Sequence, residues 1–349
     1  MTRYFVTYFD KNYLSKGLAL WQSLTEQQAD FCLFVLALDD FVVDFFAEHS
    51  STFGTSVRVF PLIALENHDP ALAATKSNRS RVEYYFTITP CVLRFVLDRY
   101  PEVDMITYLD ADVYFFASPE RIFSQMGEKS VIIVPHHFSE KNQHLARYGT
   151  YNVVFNTFRR HPEGERVLDW WRERCLEWCY DRLEDENDRF ADQRYLDRFP
   201  SLSDSVFICT DKGANLAAFN IDNSQITQKN GQFYADQYPL IFYHFHYLRR
   251  INQRLWLLYE TDKWRKEDFY CKEIQAVYGH YIRTVMRFEQ KYQLDYINSV
   301  RNITSASLNH YLLNEYPLLV TPWHIQTLNF KKYPRLYRYL FSKISWLNS

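Results

Sequence analysis

The chain has 349 residues, a formal net charge of −2 and a hydrophobic content of 47%. This length allows one large α/β domain with an appended helical part, or two domains, and it excludes a small binding module. The near-neutral charge offers no general attraction for nucleic acid, and no uncharged apolar stretch approaches the roughly 18 residues that cross a membrane.

Strand-like and helix-like segments alternate in the first third of the chain. Residues 4–8 form a buried apolar run, and Leu18, Trp21 and Leu24 follow it at helical spacing. Such alternation predicts a parallel sheet covered by helices on both faces. The predicted strands that follow the first one are 31–38, 57–62 and 104–109, and the predicted helices are 14–24, 41–50 and 85–100.

The same pattern continues to about residue 250 and then ends. Beyond that point the chain is rich in Trp, Tyr, Arg and Lys, and we predict it to be helical. We therefore predict two units, an α/β domain at residues 1–250 and a helical, aromatic and basic region at residues 251–349. The elements predicted between residues 110 and 250 are a strand at 131–135, a pair of short segments around 151–158, a helix at 164–182 and a helix that opens at 190.

Six cysteines are scattered through the chain without the spacing of a zinc or redox site. Cys175 and Cys179 are the closest pair, one helical turn apart. We expect reduced, mostly buried thiols and a cytoplasmic location.

Two aspartates directly follow the predicted strand at 104–109, in the triplet Asp110-Ala111-Asp112. Carboxylates at this spacing, at the carboxyl end of a central strand, can face one divalent cation. Hard cations such as Mn²⁺ or Mg²⁺ prefer oxygen ligands and can bridge to a diphosphate. The triplet therefore predicts a metal site, and a solvated turn is the other interpretation.

Several further motifs accompany this triplet in a recognisable order. Val6-Thr-Tyr-Phe-Asp-Lys-Asn-Tyr13 precedes it, and Tyr151-Asn-Val-Val-Phe-Asn156, Phe190-Ala-Asp-Gln193 and Phe242-Tyr-His244 follow it. Over roughly residues 3–250 the sequence resembles the GT-A-fold nucleotide-diphospho-sugar glycosyltransferases, especially the retaining enzymes of family 8 and related bacterial transferases. The resemblance implies a Rossmann-like, mostly parallel mixed sheet flanked by helices.

The resemblance also implies which residues hold the donor nucleotide. The first motif is similar to a strand and an Asp-x-Asn-Tyr turn that bind the base and ribose, which implies that Thr7, Tyr8, Asp10 and Tyr13 line this part of the site. A helix cap at Asp10 and a packing tyrosine are the other interpretation. Asp110 and Ala111 would lie against the same nucleotide.

Arg79 lies in a segment that is similar to the one preceding the metal-binding strand of these enzymes. The resemblance implies a contact between Arg79 and the donor phosphate or sugar. The family usually carries a further arginine near position 86 or 87, where this chain has Phe86 and Thr87.

The resemblance implies that Asn152, Asp192 and Gln193 surround the transferred sugar. Asn152 would line the donor sugar pocket, whereas Asp192 and Gln193 would orient hydroxyls around an oxocarbenium-like transition state. Helix capping is the other interpretation of Asp192. The segment 212–220 is similar to the loop and strand that border the acceptor.

His244 and His246 are both candidates for the third metal ligand. In the family a histidine completes the metal site, and a lysine six positions later binds the diphosphate. Aligned on this pattern, His244 is the ligand and Arg250 replaces the lysine, while His246 remains the second candidate.

These residues together predict a metal-dependent hexosyltransferase with a nucleotide-sugar donor, and a UDP-sugar is favoured. The resemblance to family 8 implies that the transfer retains the anomeric configuration. A saccharide or lipid-linked glycan, as in lipopolysaccharide or capsule synthesis, is the expected acceptor. The basic, aromatic segment 330–346 is expected either to lie on the inner membrane surface or to pack as an ordinary helix. The alternatives are a haloacid-dehalogenase-like phosphatase, which carries such a triplet on its first strand, and a sugar-binding protein without turnover.

Overall fold

A computed structural model describes residues 2–27, 30–250, 255–257, 272–294, 317–320 and 325–327. Within these ranges the chain forms a central sheet, three smaller sheets and flanking helices. The strands are, in chain order, β1 (Arg3–Phe9), β2 (Phe31–Ala37), β3 (Val57–Pro61), β4 (Met105–Leu109), β5 (Val113–Phe115), β6 (Val131–Pro135), β7 (Tyr151–Arg159), β8 (Val206–Ile208), β9 (Leu216–Ala217), β10 (Ile226–Lys229), β11 (Gln232–Ala235), β12 (Tyr238–Pro239), β13 (Phe242–His244), β14 (Arg249–Arg250), β15 (Leu255–Leu257), β16 (Pro317–Val320) and β17 (Ile325–Thr327).

Helices cover both faces of the central sheet, and short 3₁₀ helices occupy several connections. The α-helices are α1 (Leu14–Gln27), α2 (Asp40–Glu48), α3 (Ser50–Phe53), α4 (Leu62–His68), α5 (Pro70–Thr75), α6 (Arg81–Arg99), α7 (Glu120–Met126), α8 (Pro162–Glu177), α9 (Phe199–Leu202) and α10 (Lys272–Tyr292). The 3₁₀ helices are Gly54–Ser56, Glu140–Tyr148, Arg194–Arg198 and Ile221–Asn223.

The central sheet has seven strands in the order β3-β2-β1-β4-β7-β6-β8. All neighbouring pairs are parallel except those made by β7, which runs antiparallel to both β4 and β6. This mixed, mostly parallel sheet with helices on both faces confirms the predicted α/β architecture.

Alternate residues of the central strands enter two separate apolar cores. Phe5 and Leu33 pack in the core on one face, whereas Val6 and Phe34 pack in the core on the other. Because successive side chains of a strand point to opposite faces, strands buried on both sides need continuous apolar runs. β2 is such a run, since all of its residues are buried.

A second sheet pairs β5, which follows the aspartate triplet, with β13, the strand that contains His244. It has the strand order β5-β13-β9, with β5 antiparallel and β9 parallel to β13. The register sets His244 opposite Val113, one residue after the aspartate triplet. Strands far apart in sequence are thereby held side by side.

Some predicted elements differ from those in the structure. The pair of segments around 151–158 is the single strand β7, and the helix predicted at 164–182 ends at Glu177. The helix predicted to open at 190 is a turn followed by the 3₁₀ helix Arg194–Arg198. After residue 250 the described residues contain strands β15, β16 and β17 besides the helix α10, so this region is helical only in part.

Helix α10 lies against the α/β part of the chain. Tyr281 stacks on Phe245 with 3.9 Å between ring centroids, and Tyr292 meets Phe45 edge-on at 4.9 Å. No helix in the ranges given above is both long and apolar enough to span a membrane. The basic segment 330–346 lies outside the described residues.

Candidate metal and donor site

The aspartate triplet forms the turn between β4 and β5. Because β5 pairs with β13, the backbone amide of Phe245 donates a hydrogen bond of 2.9 Å to the carbonyl of Asp112. This pairing holds His244 over the triplet.

Asp110, Asp112 and His244 form a compact group of metal-ligating atoms. His244 Nε2 lies 3.4 Å from Asp110 Oδ2 and 3.4 Å from Asp112 Oδ1, and one ligand atom from each residue lies within 4.8 Å of the others. Two carboxylates and an imidazole suit a divalent cation such as Mn²⁺. The donor set therefore fits the predicted metal. His246 is not part of this group, although its ring centroid lies 4.8 Å from that of His244.

The pKa values of the two carboxylates are shifted in opposite directions. Burial raises the pKa of Asp110, and the nearby His244 only partly offsets this. Burial acts on Asp112 in the same direction, but Lys16 and His244 outweigh it and hold the pKa of Asp112 well below its ordinary value. Tyr108 also donates a hydrogen bond of 2.8 Å to Asp110 Oδ1.

His244 responds to the same charges. Burial alone would lower its pKa, but the hydrogen bond and charge of Asp112 raise it above the ordinary value. The group thus attracts positive charge, which is the property that a cation site needs.

Lys16 is a member of this site that the sequence did not reveal. Its Nζ lies 3.6 Å from Asp112 Oδ2 and 4.1 Å from the centroid of the Tyr13 ring. A lysine on an amphipathic helix is normally read as solvent-exposed. The available signal was its position in the first turn of α1 between the small residues Ser15 and Gly17, both of which are buried.

A cavity of about 510 Å³ opens beside the metal-ligating group. His244 and His246 form part of its wall, together with Asn152 and Gln193. This volume is within the range of about 300–1,000 Å³ that is typical of ligand sites. The other lining residues are His136, Phe138, Leu145, Tyr148, Asp181, Arg182, Leu183, Phe190, Phe219 and Tyr247.

The polar side chains of the cavity are held by neighbouring backbone and amide groups. Asn152 Nδ2 donates to Asn215 Oδ1 at 3.3 Å, and Gln193 Nε2 donates to the carbonyl of Tyr148 at 3.0 Å. Asn215 adopts a left-handed backbone with φ of 58°. Asn215 lies in the segment 212–220 that was expected to border the acceptor. His136 was not predicted as a site residue, because nothing in its local sequence marks it.

Asp192 is buried close to the site, although it does not line the cavity. Its backbone carbonyl accepts a hydrogen bond of 2.9 Å from Trp171 Nε1. Burial raises the pKa of its carboxyl to about 7, and the negative charge of Asp110 adds to this, against a hydrogen bond from Thr89.

The residues predicted for the nucleotide lie along the end of β1 and the turn after it. Thr7 is fully buried, and Tyr8 donates its hydroxyl to the carbonyl of Tyr85 at 2.9 Å. Asp10 accepts hydrogen bonds from the amide and side chain of Asn12. Tyr13 is the most exposed of these residues, with 44% of its surface accessible, whereas Tyr8 and Asp10 are partly buried.

The two predicted phosphate-binding arginines have other contacts. Arg250 forms a short ion pair with Glu289 of α10. Arg79 packs 3.9 Å over the ring of Tyr180 and donates to Asn78 Oδ1 at 2.9 Å. It also donates at 3.4 Å to the carbonyls of Leu176 and Glu177, at the carboxyl end of α8.

Two proteins of Bacillus subtilis (strain 168) are similar in sequence to this chain over most of their length. The uncharacterized protein YfnD is 31% identical over 245 residues, which are 70% of this chain and 77% of YfnD. The uncharacterized protein YfnF is 33% identical over 253 residues, which are 70% of this chain and 81% of YfnF. The chain belongs to the family of YfnD and YfnF. No family model matches this member of the YfnD and YfnF family.

Among solved structures, the chain is similar to that of the galactosyltransferase LgtC in complex with donor and acceptor sugar analogues. The sequences are 14% identical, the match covers 81% of this chain and 95% of LgtC, and the TM-score is 0.48.

Proposed function

We propose that this protein is a metal-dependent glycosyltransferase that moves a sugar from a nucleotide-diphosphate donor to a hydroxyl of a saccharide acceptor. One observation carries the proposal: Asp110, Asp112 and His244 bring together ligand atoms that could hold a cation at the carboxyl end of β4, beside a cavity of about 510 Å³. A hard cation next to a cavity rich in aromatic and amide groups suits a diphosphate joined to a sugar.

Asp110, Asp112 and His244 would hold Mn²⁺ or Mg²⁺. Such a cation stabilises the negative charge that develops on a leaving nucleoside diphosphate. The exposed ring of Tyr13 offers a stacking surface for the base, and Asp10, Thr7 and Tyr8 lie on the strand and turn that lead to it. A UDP-sugar is our favoured donor.

Asn152 and Gln193 are placed to orient sugar hydroxyls in the cavity. Asp192 is buried nearby with a pKa of about 7, so its carboxyl can exchange a proton near neutral pH. We assign a retaining outcome to the transfer, and a glycan or lipid-linked glycan at the inner membrane surface as the acceptor.

The test is release of nucleoside diphosphate from a panel of nucleotide sugars with and without Mn²⁺. Asp112→Ala should lower metal-dependent turnover by roughly 1,000-fold, the rate equivalent of several kcal/mol of charge stabilisation. Asp44→Ala, an exposed aspartate on α2, is the matched control and should leave turnover unchanged. An Asp112→Ala protein with full activity would overturn the proposal.

The same assay separates the other two functions. A phosphatase would release inorganic phosphate from a simple phosphomonoester and leave nucleotide sugars intact. A sugar-binding protein without turnover would bind the nucleotide sugar in calorimetry and release no nucleoside diphosphate.

A further inference from the structure

Both arginines expected to bind the donor phosphates are engaged by other groups of the chain. Arg250 is paired with Glu289, and only 8% of its side-chain surface is exposed. Arg79 is fixed against the ring of Tyr180 and the carbonyls that end α8. Other cationic side chains near the metal-ligating group are therefore candidates for binding a diphosphate.

Lys16 has the required position. Its ammonium group lies 3.6 Å from Asp112 Oδ2 and 4.1 Å from the centroid of the Tyr13 ring. Its side chain is 14% exposed, so the charge is largely removed from bulk water and its interactions are weakly screened.

The two contacts of Lys16 mark the ends of the path that a donor nucleotide must follow. Tyr13 is the exposed ring assigned to the base, and Asp112 belongs to the group assigned to the metal. The diphosphate of a nucleotide sugar joins these two ends, so its oxygens pass the ammonium group of Lys16.

We propose that Lys16 is the side chain that binds the donor diphosphate, and that it neutralises Asp112 when the site holds neither metal nor nucleotide. This proposal rests on the proposed function. With a divalent cation on the aspartates, the ammonium group of Lys16 would be repelled and Asp112 would attract it less strongly. A diphosphate then provides the anionic oxygens that the three N–H donors of Lys16 require.

Removing the charge of Lys16 therefore has opposite effects on metal and nucleotide. In Lys16→Met, the Kd for Mn²⁺ alone should fall about three- to tenfold, because a competing cation is gone. The Kd for UDP at saturating Mn²⁺ should rise on the order of 10- to 100-fold, because a charged hydrogen bond is lost. Lys16→Arg keeps the charge and should stay closer to the wild type in both measurements.

The experiment is isothermal titration of the full chain with Mn²⁺ alone, and then with UDP, GDP, CDP and ADP at saturating Mn²⁺. Lys229→Met is the matched control, since Lys229 is an exposed lysine on β10. It should leave both constants within about twofold of the wild type. Thermal unfolding confirms that each variant is folded.

Each outcome decides the proposal. Opposite shifts of the two constants in Lys16→Met support it. Unchanged nucleotide affinity, or weaker binding of both Mn²⁺ and nucleotide, assigns Lys16 a structural role and overturns it while leaving the proposed function intact. If the wild-type protein binds none of the nucleotides in the presence of Mn²⁺, the proposed function fails and the assignment of Lys16 fails with it.

Discussion

Asp192 has the environment of a carboxylic acid that remains protonated well above its ordinary range. It is 4% exposed, and burial raises its pKa to about 7 from the ordinary value of 3.8. The folded protein then binds a proton at this residue between about pH 4 and pH 7, whereas the unfolded chain does not. Asp192 therefore lowers the stability of the fold progressively as the pH rises through this window.

Asp192→Asn should remove this pH dependence. The free energy of unfolding of the wild type, relative to that of the variant, should fall by on the order of 3 kcal/mol between pH 5 and pH 8. Urea unfolding of both proteins in a chelating buffer measures this difference at each pH. A difference that does not change with pH would show that Asp192 is ionised in the folded protein throughout this range.

Site residues could be predicted where chemistry and local pattern coincide. The carboxylates of Asp110 and Asp112 follow a strand directly, and His244 was one of two candidates for the third ligand. Lys16 and His136 could not be predicted, because their positions at the candidate site depend on contacts with residues far away in sequence. The partner of Arg250 was hidden for the same reason, since Glu289 lies on α10.

At the scale of elements, the start of α6 connects a helix cap to the cavity wall. Ser80 Oγ accepts a hydrogen bond from the amide of Glu83, and Glu83 Oε2 accepts one from the amide of Ser80. The second carboxylate oxygen of Glu83 accepts a hydrogen bond of 3.1 Å from the amide of Asp181, a residue that lines the cavity. One glutamate thus caps a helix and fixes a loop.

Ser80→Ala should destabilise the protein by about 1 kcal/mol, because it removes one cap hydrogen bond. Glu83→Ala should cost more, since it also frees the amide of Asp181. Hydrogen exchange should then become faster at residues 181–183 in Glu83→Ala and remain unchanged there in Ser80→Ala. Val82→Ala, an exposed change in the same turn, should alter stability by no more than about 0.5 kcal/mol. Equal exchange rates in both cap variants would contradict this role of Glu83.

Most of the central sheet could be predicted from apolar runs, and β6 was predicted with its observed limits. Errors occurred where tertiary contacts override local pattern. β7 is one strand because β6 pairs with both of its ends, and β4 pairs with its second half, from Phe155 to Arg159. The segment after Phe190 does not begin as a regular helix, because Ala191 has a left-handed backbone. The amide of Ala191 donates instead to the carbonyl of Tyr180.

At the scale of the whole molecule, α10 shares a core with the α/β part of the chain. The hydroxyls of Tyr278 and Tyr243 form a hydrogen bond of 3.1 Å, and the ring of Tyr281 packs on that of Phe245. The hydroxyl of Tyr281 is buried, with no hydrogen-bond partner among the described residues. The division at residue 250 remains a prediction.

Two substitutions at Tyr281 test how strongly α10 is coupled to the rest. Tyr281→Ala should destabilise the protein by about 3–5 kcal/mol, as for other large aromatic side chains truncated in a core. Tyr281→Phe should be neutral or stabilising, because it removes a buried hydroxyl without a partner. Urea unfolding followed by fluorescence and circular dichroism should show one shared transition. A separate transition that alone responds to Tyr281→Ala would indicate an independent C-terminal domain.

The packing of α10 also affects how the protein is made. Phe45 contacts Tyr292, and Ser15 contacts Glu289 at 3.4 Å, so early and late parts of the chain meet. At about 5–20 residues per second, a ribosome completes Tyr292 roughly 10–50 s after Phe45. During this interval the side chains of α1 and α2 that pack against α10 in the folded protein lack these contacts. We therefore expect chaperones to bind the nascent chain during this interval.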